Sequence, residues 1–366
     1  MPQPMRASLS VRRPCRALIV ASLVALALSA CSEEHAQGGA IDVEATFGEV
    51  GRFPGQLVFP RAMSTDGQSL VVIDKTARIQ RFDAKTGDFI DGVRTPELEL
   101  GKPTGLCVAP HPIDPARKAL YVADTHYHRV LVYDLESDLN ADPSAPLLPD
   151  ISFGEYGTGP GQFVYPTDVA VLVDADGSVS RLFVSEYGGN DRITIFDVRR
   201  GGDAGLTFEP TSTFGAFGIP GEDESAGLVF NRPQSLVLDR ARGELLVCDA
   251  CNHRIGRFTL EGELIAWTGS PDNVSGAPGS LRFPYALALL EDGTALVSEF
   301  GSSHVQHMNL DTGESLGIYG EAGRGAGQLA TPWAVQVIGK TAYVLDSGND
   351  RIIAFRSPAR GAGGAQ

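Results

Sequence analysis

Three groups of residues in this sequence carry side chains able to do chemistry. The first is a set of acids, Asp74, Asp124, Glu186, Asp249, Glu299 and Asp346, each followed four to six positions later by Arg or His. An acid so placed can accept the backbone N–H groups of a turn or pair with the basic residue, and this structural use is the expectation. A calcium site would need several of these carboxylates within about 2.3–2.6 Å of one ion. The second group follows six prolines: Arg61, Thr104, Thr167, Gln234, Tyr285 and Trp333. Their types are mixed, whereas the next position is mostly small, at Ala62, Gly105, Ser235, Ala286 and Ala334. Gathered in one place, such a polar and aromatic ring suits a small-molecule or peptide pocket; it could equally serve as a plug. The third group is Cys and His. Cys248 and Cys251 form a lone C-x-x-C, with neither the βαβ context of a redox motif nor the second pair of a zinc site. A disulfide and two packed thiols both fit. Cys107 reads as core. No G-x-S-x-G, P-loop or H-E-x-x-H is present, so the chemistries those motifs perform find no support.

These residues recur because the stretches that carry them recur. Aligned on Pro60, Pro103, Pro166, Pro233, Pro284 and Pro332, six copies run from about residue 47 to 355. A glycine-containing loop, lost in copy two and stretched in copy four, leads to the proline, and each copy continues with an apolar run, a turn, a run ending in the acid, a polar turn, and a run led by Arg-Ile or a relative of it. Short runs of Val, Ile, Leu, Phe and Tyr, punctuated by Gly, Pro, Asp and Asn, predict successive strands. A repeat of about 40–50 residues holding four strands is the signature of a propeller blade. The expected fold is all-β: six four-stranded antiparallel blades over residues 41–357. Copy six stops after its third strand, so the run Ile41 to Phe47 is expected to supply the missing strand and close the ring.

The pattern F-G-x-x-G-x-x-x-G-Q-F-x-x-P, then L-x-V-x-D-x-x-N-x-R-I-x-x-F, resembles the NHL repeat. Copies three, four and six carry it most fully, at Phe153 to Phe196, Cys248 to Phe258 and Tyr319 to Phe355. That resemblance implies a propeller used as a binding platform or sensor, and in some relatives as an enzyme. His128, His253 and His304 fall in equivalent turns of copies two, four and five. They are similar in placement to the zinc-binding histidines of the peptidyl-hydroxyglycine amidating lyases, although His304 is displaced by one residue. An open zinc site asks for three such ligands. A sugar lactonase, the other enzymatic relative, would need a calcium site of convergent acids and Asn in the channel.

Charge and the N-terminus bear on partners and place. The formal net charge is −15, with 30 Lys and Arg against 45 Asp and Glu. Four of those arginines lie in the first thirty residues, so the remainder is more acidic still. Such a surface repels a phosphate backbone, and no nucleic-acid partner is expected. Arg6, Arg12, Arg13 and Arg16 precede the apolar stretch Ala17 to Ala30, which is too short for a comfortable span but suits a secretory signal over residues 1–30. Leu28-Ser29-Ala30-Cys31 resembles a bacterial lipobox, implying lipid on Cys31. Ser32 then favours the outer membrane, or the periplasmic side of the membrane, within the cell envelope. Residues 31–40 read as a tether and 358–366 as a Gly/Ala-rich tail.

The expectation is therefore a monomeric, lipid-anchored binding or scaffolding propeller that recognises an envelope protein, a peptide or a small ligand. It holds no cofactor; the alternative is a zinc- or calcium-dependent lyase or lactonase. The loops before Pro233 and Pro284 are long and open on the same end of the disc as the six post-proline residues, so that end is the expected working face.

Overall fold

The computed structural model describes residues 39–136, 139, 142–201, 205–222 and 227–359. The signal stretch, Cys31 and most of the tether lie outside them, as does the tail from residue 360. The six copies are six four-stranded antiparallel sheets. Blade I comprises Ala62–Thr65, Ser69–Ile73, Arg78–Asp83 and Phe89–Arg94. Blade II runs Gly105–Pro110, Lys118–Asp124, Arg129–Asp134 and Ile151–Phe153. Blade III holds the longest strands, Tyr165–Val173, Val179–Tyr187, Arg192–Gly201 and Gly205–Phe214. Blades IV and V are Pro233–Asp239 to Leu264–Gly269 and Pro284–Leu289 to Ser315–Tyr319. Blade VI contributes Ala334–Ile338, Thr341–Asp346 and Arg351–Arg356, and its fourth strand is Val43–Phe47, antiparallel to Arg351–Arg356.

First strands of successive blades are neighbours around a circle, VI meeting I. The short unbroken apolar runs fit this packing, because a strand in a blade is buried on both faces. Six apolar clusters fill the six junctions, one per pair of adjacent blades. A fully buried Leu or Phe in such a junction stabilises the fold by about 1.5–3 kcal/mol. Leu57, Phe163, Phe230, Leu281 and Leu329, at the ends of the glycine-containing loops, are fully buried. The glycine after the opening aromatic makes room for them. A Cβ on Gly154 would come within 2.6 Å of Phe163 and one on Gly320 within 2.8 Å of Leu329, and both glycines have positive φ.

Where a repeat keeps both the loop and the Arg, the acid and the Arg together hold that loop down. Asp346 accepts the Ala330 N–H at 2.7 Å and pairs with Arg351 Nε at 2.8 Å, and Arg351 donates onward to the Gly325 and Gln328 carbonyls. Blade I repeats this with Asp74 and Arg78, and blade III with Glu186 and Arg192. Blade II lacks the loop, and there one oxygen of Asp124 is buried without a partner. Burial lifts Asp124 to about 6, against the pull of Arg129. The shared acid is thus a loop anchor.

Candidate functional site at the mouth of the channel

Two local devices aim the post-proline side chains. The residue before the proline has φ between 44° and 61° at Phe59, Arg232, Phe283 and Thr331, a conformation that bulky L-residues rarely adopt. A side chain from the preceding blade holds each of these N–H groups. Asp350 Oδ1 accepts from Phe59 at 2.6 Å, Asp191 Oδ1 from Arg232 at 2.6 Å, His253 Nδ1 from Phe283 at 3.1 Å and Ser303 Oγ from Thr331 at 3.3 Å. The second device is a bulge. In blades III, IV and V the pairing slips at Thr167, Gln234 and Tyr285, the residues just after the proline. An extra residue of this kind re-aims its side chain and is a frequent feature beside functional sites.

Five of the six post-proline side chains consequently line one cavity: Arg61, Thr104, Gln234, Tyr285 and Trp333. Thr167 does not join them. It is buried, and its hydroxyl bonds the Pro233 carbonyl at 2.6 Å and Ser185 at 2.7 Å, fastening blade III to blade IV. The cavity is small, about 40 Å³, which on this measure admits roughly three water molecules at about 10–15 Å³ each. Its walls are tightly built. Tyr285 stacks on Phe300 with centroids 4.5 Å apart and meets Trp333 edge-on at 5.0 Å, and the Arg61 guanidinium lies 5.7 Å from the Trp333 ring centre. Arg232 packs over Tyr187 and Tyr285 and donates from Nε to Gln234 at 2.9 Å. Trp333 and Tyr285 belong to the apolar cluster between blades VI and I, so both rings pack as core while edging the cavity.

The electrostatics of this mouth oppose the charge of the chain. Arg61 is held below its ordinary value, first by burial and then by Arg232. Burial likewise lowers His126, and Arg61 and Lys102 add to the effect. Two donors here have no acceptor among the described residues: Arg61 Nε and the indole Nε1 of Trp333, which is only 8% exposed.

One wall residue escaped the sequence reading. Asp168, directly after Thr167, lines the same cavity. Its Oδ2 accepts the Leu236 N–H at 2.9 Å, and burial raises it to about 7. A signal was there: among six copies it alone puts a carboxylate at the position that is otherwise mostly small. Gly105 on the neighbouring strand makes room, since a Cβ there would lie 2.6 Å from Asp168 Oδ1.

The three histidines are not brought together. His128 sits in a left-handed turn and bonds the Val164 carbonyl of blade III, while His253 takes the latch position already described. His304 occupies the Arg slot instead, with Nε2 3.3 Å from Glu299; Ser303 holds the latch position of that blade. No group of three or more His, Cys, Asp or Glu placed to hold a metal ion occurs among the described residues. Cys107, Cys248 and Cys251 are free thiols, and burial pushes Cys107 up to about 12.

The loops that lead into the first strands of four blades expose apolar side chains: Val50 and Phe53 before blade I, Leu100 before II, Tyr156 before III, and Phe217 before IV. No helix among the described residues is long and apolar enough to cross a membrane.

Comparison with known proteins agrees with this architecture. The NHL repeat family model matches residues 230–258, which cover the first three strands of blade IV. The chain thus carries an NHL repeat within a six-bladed β-propeller. Among solved structures it is similar to a structural genomics protein of unknown function from Bacteroides thetaiotaomicron, at 14% identity and TM-score 0.54, over 88% of this chain and 74% of that one. It is also similar to the WD40 β-propeller domain of Doa1, at 11% identity and TM-score 0.50, over 85% of this chain and 95% of that one. At such identities the likeness is one of fold. No curated protein sequence matches the chain.

Proposed function

We propose that this protein is a binding propeller of the cell envelope, held by lipid on Cys31, that captures its ligand at the proline-side mouth of the channel. An NHL-type propeller is in general a binding or scaffolding platform. The observation that carries the finer reading is the convergence of five post-proline side chains, from five blades, on one cavity whose Arg61 and Trp333 donors lack acceptors. Rings and cations at a concave, tightly packed site are the residues that dominate recognition energetics. The exposed apolar side chains on the surrounding loops extend the face beyond the cavity.

Two experiments test the two halves of the proposal. Cys31→Ser should release a folded propeller from the membrane fraction, since the retained signal is too short to anchor it stably. Unchanged fractionation of the variant together with an unlipidated wild-type N-terminus refutes the anchor. For the face, Arg61→Gln with Phe53→Ser should abolish partner capture from envelope extract. Asp114→Ala with Glu291→Ala, in exposed turns joining first and second strands on the opposite face, should leave it intact. Loss of capture only with the second pair places the working face on the other side.

A further inference from the structure

We infer that the mouth of the channel is a receptor for a single carboxylate group, seated between the Arg61 guanidinium and the Trp333 indole N–H. This rests on the reading of that mouth as the working face and gives its ligand a chemical class. Several independent observations lead to it.

The donors come first. Trp333 is more than nine-tenths buried, lines the cavity, and has an N–H without an acceptor. An unsatisfied buried donor is costly, and in a native structure it calls for an explanation such as an absent ligand. Arg61 Nε is a second buried donor in the same state, on the same wall, with its guanidinium against the Trp333 ring. A planar guanidinium and an adjacent N–H match the two oxygens of a carboxylate.

The surrounding charges favour an anion. The groups that act electrostatically on Arg61 are Tyr187, Arg232 and Tyr285, none of them a carboxylate. Asp191, which interacts with Arg232, is already occupied by the N–H groups of Arg232 and Gly189. Lys102 and His126 add further basic groups within reach of Arg61. Cations gathered at one mouth of a chain with net charge −15 repel one another unless an anion sits among them.

Size and depth set the class. A cavity of about 40 Å³ takes a carboxylate head and little of its stem, so the rest of the ligand must lie outside, against the exposed loop side chains. Asp168, on the same wall one residue further along its strand than Thr167, is bonded to the Leu236 N–H. Its carboxyl group already fills that part of the wall, and above about pH 7 its charge repels a second anion there, so the ligand is confined to the part lined by Arg61 and Trp333. A carboxylate head on a stem that leaves the cavity describes a small organic acid or the C-terminus of a peptide.

The test uses the full-length protein and two readouts, titration calorimetry and indole fluorescence. The chain has only two tryptophans, so Trp333→Phe leaves Trp267 as an internal reference. The probes are acetate, acetamide, and one pentapeptide with either a free or an amidated C-terminus. Acetate or the free-acid peptide should bind and change the Trp333 emission, while acetamide and the amidated peptide should not. Binding of both acids identifies a small-acid receptor; binding of the peptide acid alone identifies a chain-terminus receptor. Arg61→Gln should weaken the acid at least tenfold and Trp333→Phe several-fold, without moving the unliganded melting temperature by more than a few degrees. Should Arg61→Gln fail to fold, Arg61→Lys, which keeps the charge but loses the fork, should show the same loss. Equal binding of the neutral probes, or no saturation by either acid up to tens of millimolar, overturns the carboxylate assignment. If envelope partners are nevertheless captured, depend on Arg61 and are undisturbed by acetate, the working face stands and only its ligand class is lost.

Discussion

Asp168 gives the sharpest quantitative test of how this channel is built. Its carboxyl is buried, is bonded to the Leu236 N–H, and is raised by burial from 3.8 to about 7. In the unfolded chain it titrates at the ordinary value. Below pH 3.8 both states hold the proton and the group costs the fold nothing. Between 3.8 and 7 the unfolded state has released its proton while the folded state keeps it, so stability falls as pH rises; above 7 the penalty is complete. Three pH units at about 1.36 kcal/mol each amount to roughly 4 kcal/mol. Unfolding entropy of about 2.1 cal/mol/K per residue, over some 320 residues, converts this into roughly 6 °C of melting temperature. Asp168→Asn keeps the side-chain oxygen that accepts from Leu236 and removes the titration. The variant should therefore melt about 6 °C above the wild type at pH 8, with the gap closing steadily toward pH 4. Calorimetric scans of both proteins at half-unit pH steps give the comparison. A gap that does not change with pH shows that the carboxyl does not titrate in this range. A variant less stable at pH 8 shows that the carboxylate is satisfied in the native protein by a cation.

Other outcomes follow from the same contacts. Arg254→Ala removes the partner of buried Asp249 at 2.9 Å and the guanidinium stacked 3.6 Å over Trp267; stranding a buried charge costs about 3–5 kcal/mol, readable as a lower urea midpoint. Asp350→Ala breaks the latch from blade VI to the Phe59 N–H, and a hydrogen bond to a charged acceptor is worth about 1.5–3 kcal/mol. Asp350→Asn, which keeps an oxygen, should recover most of that loss in the same denaturant titration. Deleting residues 41–47 takes Val43–Phe47 off the edge of blade VI and Ile41 from the Gly327 carbonyl, and should lower the melting temperature of the whole disc. Removing residues 360–366 should leave it unchanged, because that segment has no apolar pattern to bury; equal melting of the two truncations refutes the role given to Val43–Phe47.

The sequence by itself determined the ring. A motif recurring six times in phase leaves little freedom, because each repeat is one sheet that buries its faces only against its neighbours. The repeated acid and Arg were legible as a structural pair for the same reason: four to six residues is the reach across one turn. What lay beyond one turn was not legible. The latches join residues far apart in the chain, such as Asp350 and Phe59, so histidines that read as metal ligand candidates are resolved only when the adjoining blade is in place. A one-residue difference of position separates His253, on a latch, from His304, on a buried Glu. The bulges at Thr167, Gln234 and Tyr285 depend on pairing registers that no local composition encodes. Of six matching positions five reach the cavity; Thr167, short and hydroxyl-bearing, bonds Ser185 and the Pro233 carbonyl of the next blade instead. Asp168 shows the boundary most clearly: its departure from a small-residue position is visible in the letters, but its burial, its raised proton affinity and its place on one cavity wall with Arg61 and Trp333 come from the packing of six strands around one axis.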